Sequence, residues 1–122
     1  MHTRRTDSTP YRTKDGSLIR ELLHPAVHGG PGRLSLAEAT VLRGGHTEPH
    51  RHRSSEEMYH VLRGTGTMLL DGRTLTLGVG DTVRIPPGSI HALHCDANED
   101  LVVLCCCTPP YSHDDTELQG EG

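Results

Sequence analysis

The stretch Gly44-Gly45-His46-Thr47-Glu48-Pro49-His50-Arg51-His52-Arg53-Ser54-Ser55-Glu56-Glu57 sets two imidazoles two residues apart. Side chains alternate between the faces of a strand, so His50 and His52 stand on one side of the same ladder. A turn through Arg53-Ser54-Ser55 leads into a second strand, Glu57-Met58-Tyr59-His60-Val61-Leu62, whose first residue supplies a carboxylate to the same cavity. By the same parity Tyr59 and Val61 face the way Glu57 does, while Glu56 faces the other way. Farther on, Gly80-Asp81-Thr82-Val83-Arg84-Ile85-Pro86-Pro87-Gly88-Ser89-Ile90-His91 places a third imidazole just after a Pro-Pro-Gly turn, where a strand restarts. A neutral imidazole is a metal ligand near pH 7. Three of them with one carboxylate suit zinc, iron, manganese, nickel or cobalt, and leave room for water or substrate on any metal that takes five or six ligands.

Around this stretch, short apolar segments recur between turn residues at about 34–42, 48–53, 57–63, 65–70, 73–78, 81–85, 90–95 and 100–107. That rhythm predicts an all-β sandwich or barrel, and so many short strands in one small chain argue for closure or a double sheet. Asp71-Gly72, between two apolar runs, predicts a two-residue hairpin. Ser17–Leu23 fits a short helix or an edge strand and is read as a strand. Residues 1–16 are polar and are read as a flexible N-terminal arm with its first ten residues disordered, 17–112 as the β-barrel domain and 113–122 as a C-terminal tail.

Length and composition bound the rest. With 122 residues there is room for one domain. Hydrophobic residues make up 33%, and without Trp or Phe the core must come from Leu, Val, Ile, Ala and Cys. A net charge of −4 with no long basic run gives no footprint for nucleic acid. No apolar stretch approaches a membrane span or a signal-peptide core, so a soluble cytoplasmic protein with a small-molecule partner is expected. Cys95 and the run Cys105-Cys106-Cys107 fit neither a disulfide framework nor structural-zinc spacing, as expected of a reducing compartment.

Two motifs, Gly44-x5-His50-x-His52-x4-Glu57-x6-Gly64 and Gly80-x5-Pro86-x-Gly88-x2-His91, match those of the cupin superfamily, so the chain resembles a small single-domain bacterial cupin. The resemblance implies a single jelly-roll-like β-barrel of the conserved-barrel type. It also implies one divalent ion per chain held by His50, His52, Glu57 and His91, with zinc the first choice and iron, manganese or nickel the alternatives, and a homodimer. Where the second motif usually closes with Asn, this chain has Cys95. The flanks Gly16–Pro25 and Cys105–Leu118 are similar to zinc-binding cupins of hydrazine synthetases, which form nitrogen–nitrogen bonds and are usually joined to a methionyl-tRNA-synthetase-like domain. A separate synthetase-like partner is expected in its place.

Other residues carry weaker readings. Tyr59, beside Glu57, is read as a catalytic proton donor or substrate contact, against a core residue with a satisfied hydroxyl. Glu38 shares a face with Leu34 and Leu36 and is read as a general base pointing into the pocket, against exposure at a strand end. His46, His60 and His94 are read as surface or interface residues, and the alternating Cys105 and Cys107 as packing residues that look into the barrel. The functions in view are a metal-dependent enzyme, with oxygen-dependent oxidation or non-redox isomerase, lyase or cyclase chemistry, and a metal-anchored module that binds or senses a small molecule without catalysis.

Overall fold

The computed structural model describes residues 1–96 and 98–120. In chain order the strands among these residues are β1 Tyr11–Arg12, β2 Leu18–Leu23, β3 Ser35–Val41, β4 His50–His52, β5 Glu56–Arg63, β6 Gly66–Leu70, β7 Arg73–Leu77, β8 Thr82–Ile85, β9 His91–Cys95, β10 Leu101–Thr108 and β11 Thr116–Leu118. They form two antiparallel sheets, ordered β1-β2-β3-β10-β5-β8 and β11-β4-β9-β6-β7, which share one core. A single helical turn, α1 (Pro25–His28), follows β2, capped by the His24 ring on the Ala26 amide.

Period-two alternation accounts for the strands. In β3 Ser35, Ala37, Ala39 and Val41 are buried, and in β10 Leu101, Val103, Cys105 and Cys107 are buried, while the residues between them are half-buried. Register then separates two ends of the molecule. Leu101 pairs with Val41, and Val103 pairs with Ala39 on one side and Val61 on the other, so this end is filled by branched side chains together with Met68 and Leu93. At the opposite end Cys105 lies between Ala37 and Tyr59, and Cys107 between Ser35 and Glu57. Small side chains cannot fill the space between the sheets there, and a cavity remains.

Two glycines explain their places in the pattern. Asp71 and Gly72 both have positive φ, 48° and 80°, and make the tight β6–β7 hairpin in which Leu70 pairs with Arg73. Gly64, the last residue of the first motif, has φ of 80°, and a Cβ there would stand 2.4 Å from the Asp100 carbonyl oxygen.

The two flanks differ from the reading of 1–16 as an arm and 113–122 as a tail. Tyr11–Arg12 pairs with β2, the Thr3 hydroxyl donates to the Leu22 carbonyl, and Thr116–Leu118 pairs with β4 from His52 to His50. Strands of two and three residues are too short to leave a periodic signal. Residues 121 and 122 of that tail lie outside the described residues.

Candidate metal centre

Strand β4 points His50 and His52 inward and leaves Arg51 half-buried between them. His50 pairs directly with His91 at the start of β9, the point where the Pro86-Pro87-Gly88 turn lets the strand restart. The ring centroids are 5.3 Å apart for His50 and His52, 4.2 Å for His50 and His91, and 5.4 Å for His52 and His91. Glu57 reaches the cluster from β5 in the other sheet, with Oε1 3.1 Å from His52 Nε2 and 3.4 Å from His91 Nε2. Its neighbour Glu56 turns outward and accepts from Arg84 Nε at 3.0 Å.

Hydrogen bonding on the far side of each ring settles which nitrogen is free. His50 Nδ1 donates to the Glu48 carbonyl at 2.8 Å and His91 Nδ1 to the Ser89 carbonyl at 2.9 Å. His52 Nδ1 meets Thr116 Oγ1 at 2.9 Å, and that hydroxyl gives its own proton to the Ser112 carbonyl at 2.8 Å, so it accepts from the ring. In the neutral rings all three Nε2 atoms therefore carry lone pairs, and they converge beside a carboxylate oxygen. Lone pairs facing one another in a buried site favour a proton or a metal cation between them. His91 Nε2 is buried with no hydrogen-bond partner, as suits an atom that could ligate a metal. The three imidazoles could hold a metal ion, and their donor set fits one.

Electrostatics agree. Burial, then the charge of His91, pushes His50 down to about 4, which keeps it neutral and able to bind a cation. Burial opposes the charge on Glu57, yet the contacts with His52 and His91 hold its carboxyl well below the usual range. His52 is buried too, which lowers it, but its contact with Glu57 outweighs burial and raises it.

The cavity beside this cluster measures about 40 Å³. That is room for a few water-sized groups. Tyr59 lies on its wall, with its ring 5.9 Å from that of His91, and burial followed by the Glu57 charge keeps its phenol protonated. Cys105 and Cys107 also line it, and Cys107 Sγ donates to Glu57 Oε2 at 3.1 Å. Burial, then Glu57, pushes both thiols up, so they stay protonated.

Glu38 corrects the sequence reading. It points away from the cavity, on the outer face with Leu36, and its carboxylate is held by Arg5 at 2.7 and 2.8 Å. The inward face of β3 is the one with Ser35, Ala37 and Ala39; the bulk of Leu34 and Leu36 suggested the opposite face, but Leu34 is exposed. His60 bonds Thr82 Oγ1, and His46 and His94 pack edge to face at 5.9 Å, all away from the centre.

Two site residues escaped the sequence reading. Asp15 brings Oδ2 to 3.3 Å from His50 Nε2, while its Oδ1 accepts from the Ser17 amide and the hydroxyls of Thr13 and Ser17. The Asp15-Gly16 dipeptide ahead of a strand was the available turn signal. Thr116, which fixes the His52 ring, lies in a strand too short to detect.

Residues 37–107 match the family of the cupin domain. The chain belongs to the cupin family. An uncharacterized protein of Methanocaldococcus jannaschii is 50% identical to this cupin over 109 residues, which cover 89% of this chain and 86% of that one. Among solved structures, the polyketide cyclase RemF of Streptomyces resistomycificus superposes with a TM-score of 0.76 at 26% identity, over 88% of this cupin and 78% of that chain. A predicted oxalate decarboxylase of Thermotoga maritima gives 0.76 at 23% identity, over 89% and 99%, a likeness of fold.

Proposed function

We propose that this cupin is a metal-dependent enzyme that binds one zinc ion through His50, His52, His91 and Glu57 and transforms a small molecule by non-redox chemistry. The observation that carries the reading is the convergence of three Nε2 lone pairs and Glu57 Oε1 beside a cavity lined by His50, His52 and Glu57. A bound divalent ion supplies Lewis acidity, polarising a substrate oxygen or nitrogen or lowering the pKa of water.

The chain's own residues divide the remaining work. The Nδ1 partners fix the imidazoles, Cys107 steadies the Glu57 oxygen that faces away from the rings, and Tyr59 holds a phenolic proton on the cavity wall for a developing negative charge. Ala37, Ala39 and Ile19 exclude water from the opposite wall. The preference for a redox-inert ion rests on Cys105 and Cys107, because these thiols, though protonated, share the cavity in which an oxygen-activating centre would generate its oxidants. The likeness to a polyketide cyclase supports an enzyme over a binding or sensing module. Nitrogen–nitrogen bond formation is a separate reaction compatible with zinc, resting on the resemblance of the flanks; it needs no oxidant only where one substrate nitrogen already bears an oxygen leaving group, whose N–O bond breaks as the N–N bond forms.

The test is metal content by inductively coupled plasma mass spectrometry on untagged protein, wild type against His52→Ala and Glu57→Ala. Near-stoichiometric zinc in wild type, lost in both variants, is the expected result. Stoichiometric iron would overturn the redox-inert assignment, and wild type without metal after reconstitution would overturn the metalloenzyme.

A further inference from the structure

Among the described residues, two buried side-chain polar atoms lack a hydrogen-bond partner, His91 Nε2 and Glu21 Oε2. A metal accounts for the first. The second stands on β2, across from Ala37, in a side chain only 6% exposed. Glu21 Oε1 accepts from the Tyr11 hydroxyl at 2.7 Å, which uses that phenol's proton and leaves nothing for Oε2. Buried carboxylate oxygens are ordinarily satisfied, so an orphan at a cavity wall marks a donor yet to arrive.

We infer that the site takes a substrate bearing a primary ammonium group, which Glu21 receives while another part of the molecule reaches the metal-binding imidazoles. The inference rests on the metal-centre reading for the second contact alone. Glu21 lines two adjoining spaces, the inner cavity of about 40 Å³ and a more open outer one of about 500 Å³, and Tyr111 lines both as well. It therefore stands where a ligand passes from one to the other.

Charge selects the donor. The inner wall carries the carboxyl groups of Asp15, Glu21 and Glu57 and neither Lys nor Arg. The outer wall adds Asp114, again without Lys or Arg. One divalent ion offsets two of the three inner carboxylates, leaving the site formally negative. A hydroxyl would satisfy Oε2 but not this charge, and a planar guanidinium is large for the inner cavity; a compact ammonium answers both. The inward Ser35, Ala37 and Ala39 leave the space that its carbon chain needs.

The test is calorimetric titration of cobalt-loaded full-length protein, metal content measured first, with β-alanine and 4-aminobutyrate against propionate and butyrate. The visible spectrum of cobalt reports a carboxylate arriving at the metal. The amine-bearing ligands are expected to bind at least tenfold tighter than their amine-free counterparts. Glu21→Gln should abolish the difference by weakening the amine-bearing ligands, with cobalt stoichiometry retained and fatty-acid affinity no lower than in wild type. Tyr11→Phe removes the phenol's hydrogen bond to Glu21 but keeps the carboxylate, and should retain the preference. The same comparison in metal-free protein, propylamine against propanol, separates the two ideas: absent cobalt uptake would overturn the metal centre alone. Equal affinities, no binding in either series, or a preference that survives Glu21→Gln would overturn the ammonium site.

Discussion

Thr116→Val removes the side-chain acceptor that fixes the His52 ring of the candidate metal centre. His50 and His91 donate to main-chain carbonyls, which substitution cannot delete, whereas His52 donates to Thr116 Oγ1 at 2.9 Å. Valine keeps the shape and offers no acceptor. The His52 proton then either stays on Nδ1 without a partner or moves to Nε2, where it donates to Glu57 at 3.1 Å. The first leaves a buried N–H unsatisfied and the ring free to turn, and the second withdraws the Nε2 lone pair from a metal. Loss of such a partner typically weakens metal binding by about 10–100-fold, equivalent to about 1.4–2.7 kcal/mol. The metal-free fold also loses the bond to the Ser112 carbonyl, so a further loss of about 1–2 kcal/mol in stability is expected. Competition of stripped protein with a chromophoric zinc chelator measures the first quantity and urea unfolding the second. Zinc affinity within twofold of wild type, in a variant that remains folded, would refute the tautomer argument.

Two further outcomes concern the fold. Burial opposes charge on Asp115, but the amides of Ser54 and Ser55 donate to it at 2.9 and 3.0 Å and hold its carboxyl below the usual range. A depressed carboxyl stabilises the fold above its unfolded value, near 4, and loses that contribution as pH falls through the folded one. The melting-temperature gap between wild type and Asp115→Asn should therefore be full at pH 6 and close towards pH 3, as followed by circular dichroism; a constant gap would contradict it. Leu101→Ala, at a fully buried position in the filled end, should cost about 2–5 kcal/mol in urea unfolding while leaving zinc stoichiometry intact.

The strands from Ser35 to Thr108 were legible because short apolar runs recur at regular intervals and their turns are marked by residues such as Asp71-Gly72. The convergence of His50, His52, Glu57 and His91 was legible because two-residue spacing and a Pro-Gly turn fix direction without knowledge of the partner strand. Glu38 was misread for a related reason: alternation says which residues share a face, not which face is inward, and here the small residues rather than the leucines turn in. Asp15, Thr116 and Glu21 were not legible as site residues. Their roles arise from contacts across long separations in sequence, such as the pairing of β11 with β4, and no local pattern encodes these.

The family match spans residues 37–107, yet the cage is not confined to it. All three imidazoles and Glu57 fall inside that stretch, while Asp15, Glu21 and Thr116 come from the flanks that β1, β2 and β11 secure. The donor set is thus portable and its tuning is not. A chain trimmed to the family stretch would keep every ligand atom but lose the acceptor that orients His52 and two of the three carboxylates around the cavity. Drift in the flanks could then shift metal affinity and ligand charge preference among relatives whose motifs remain identical.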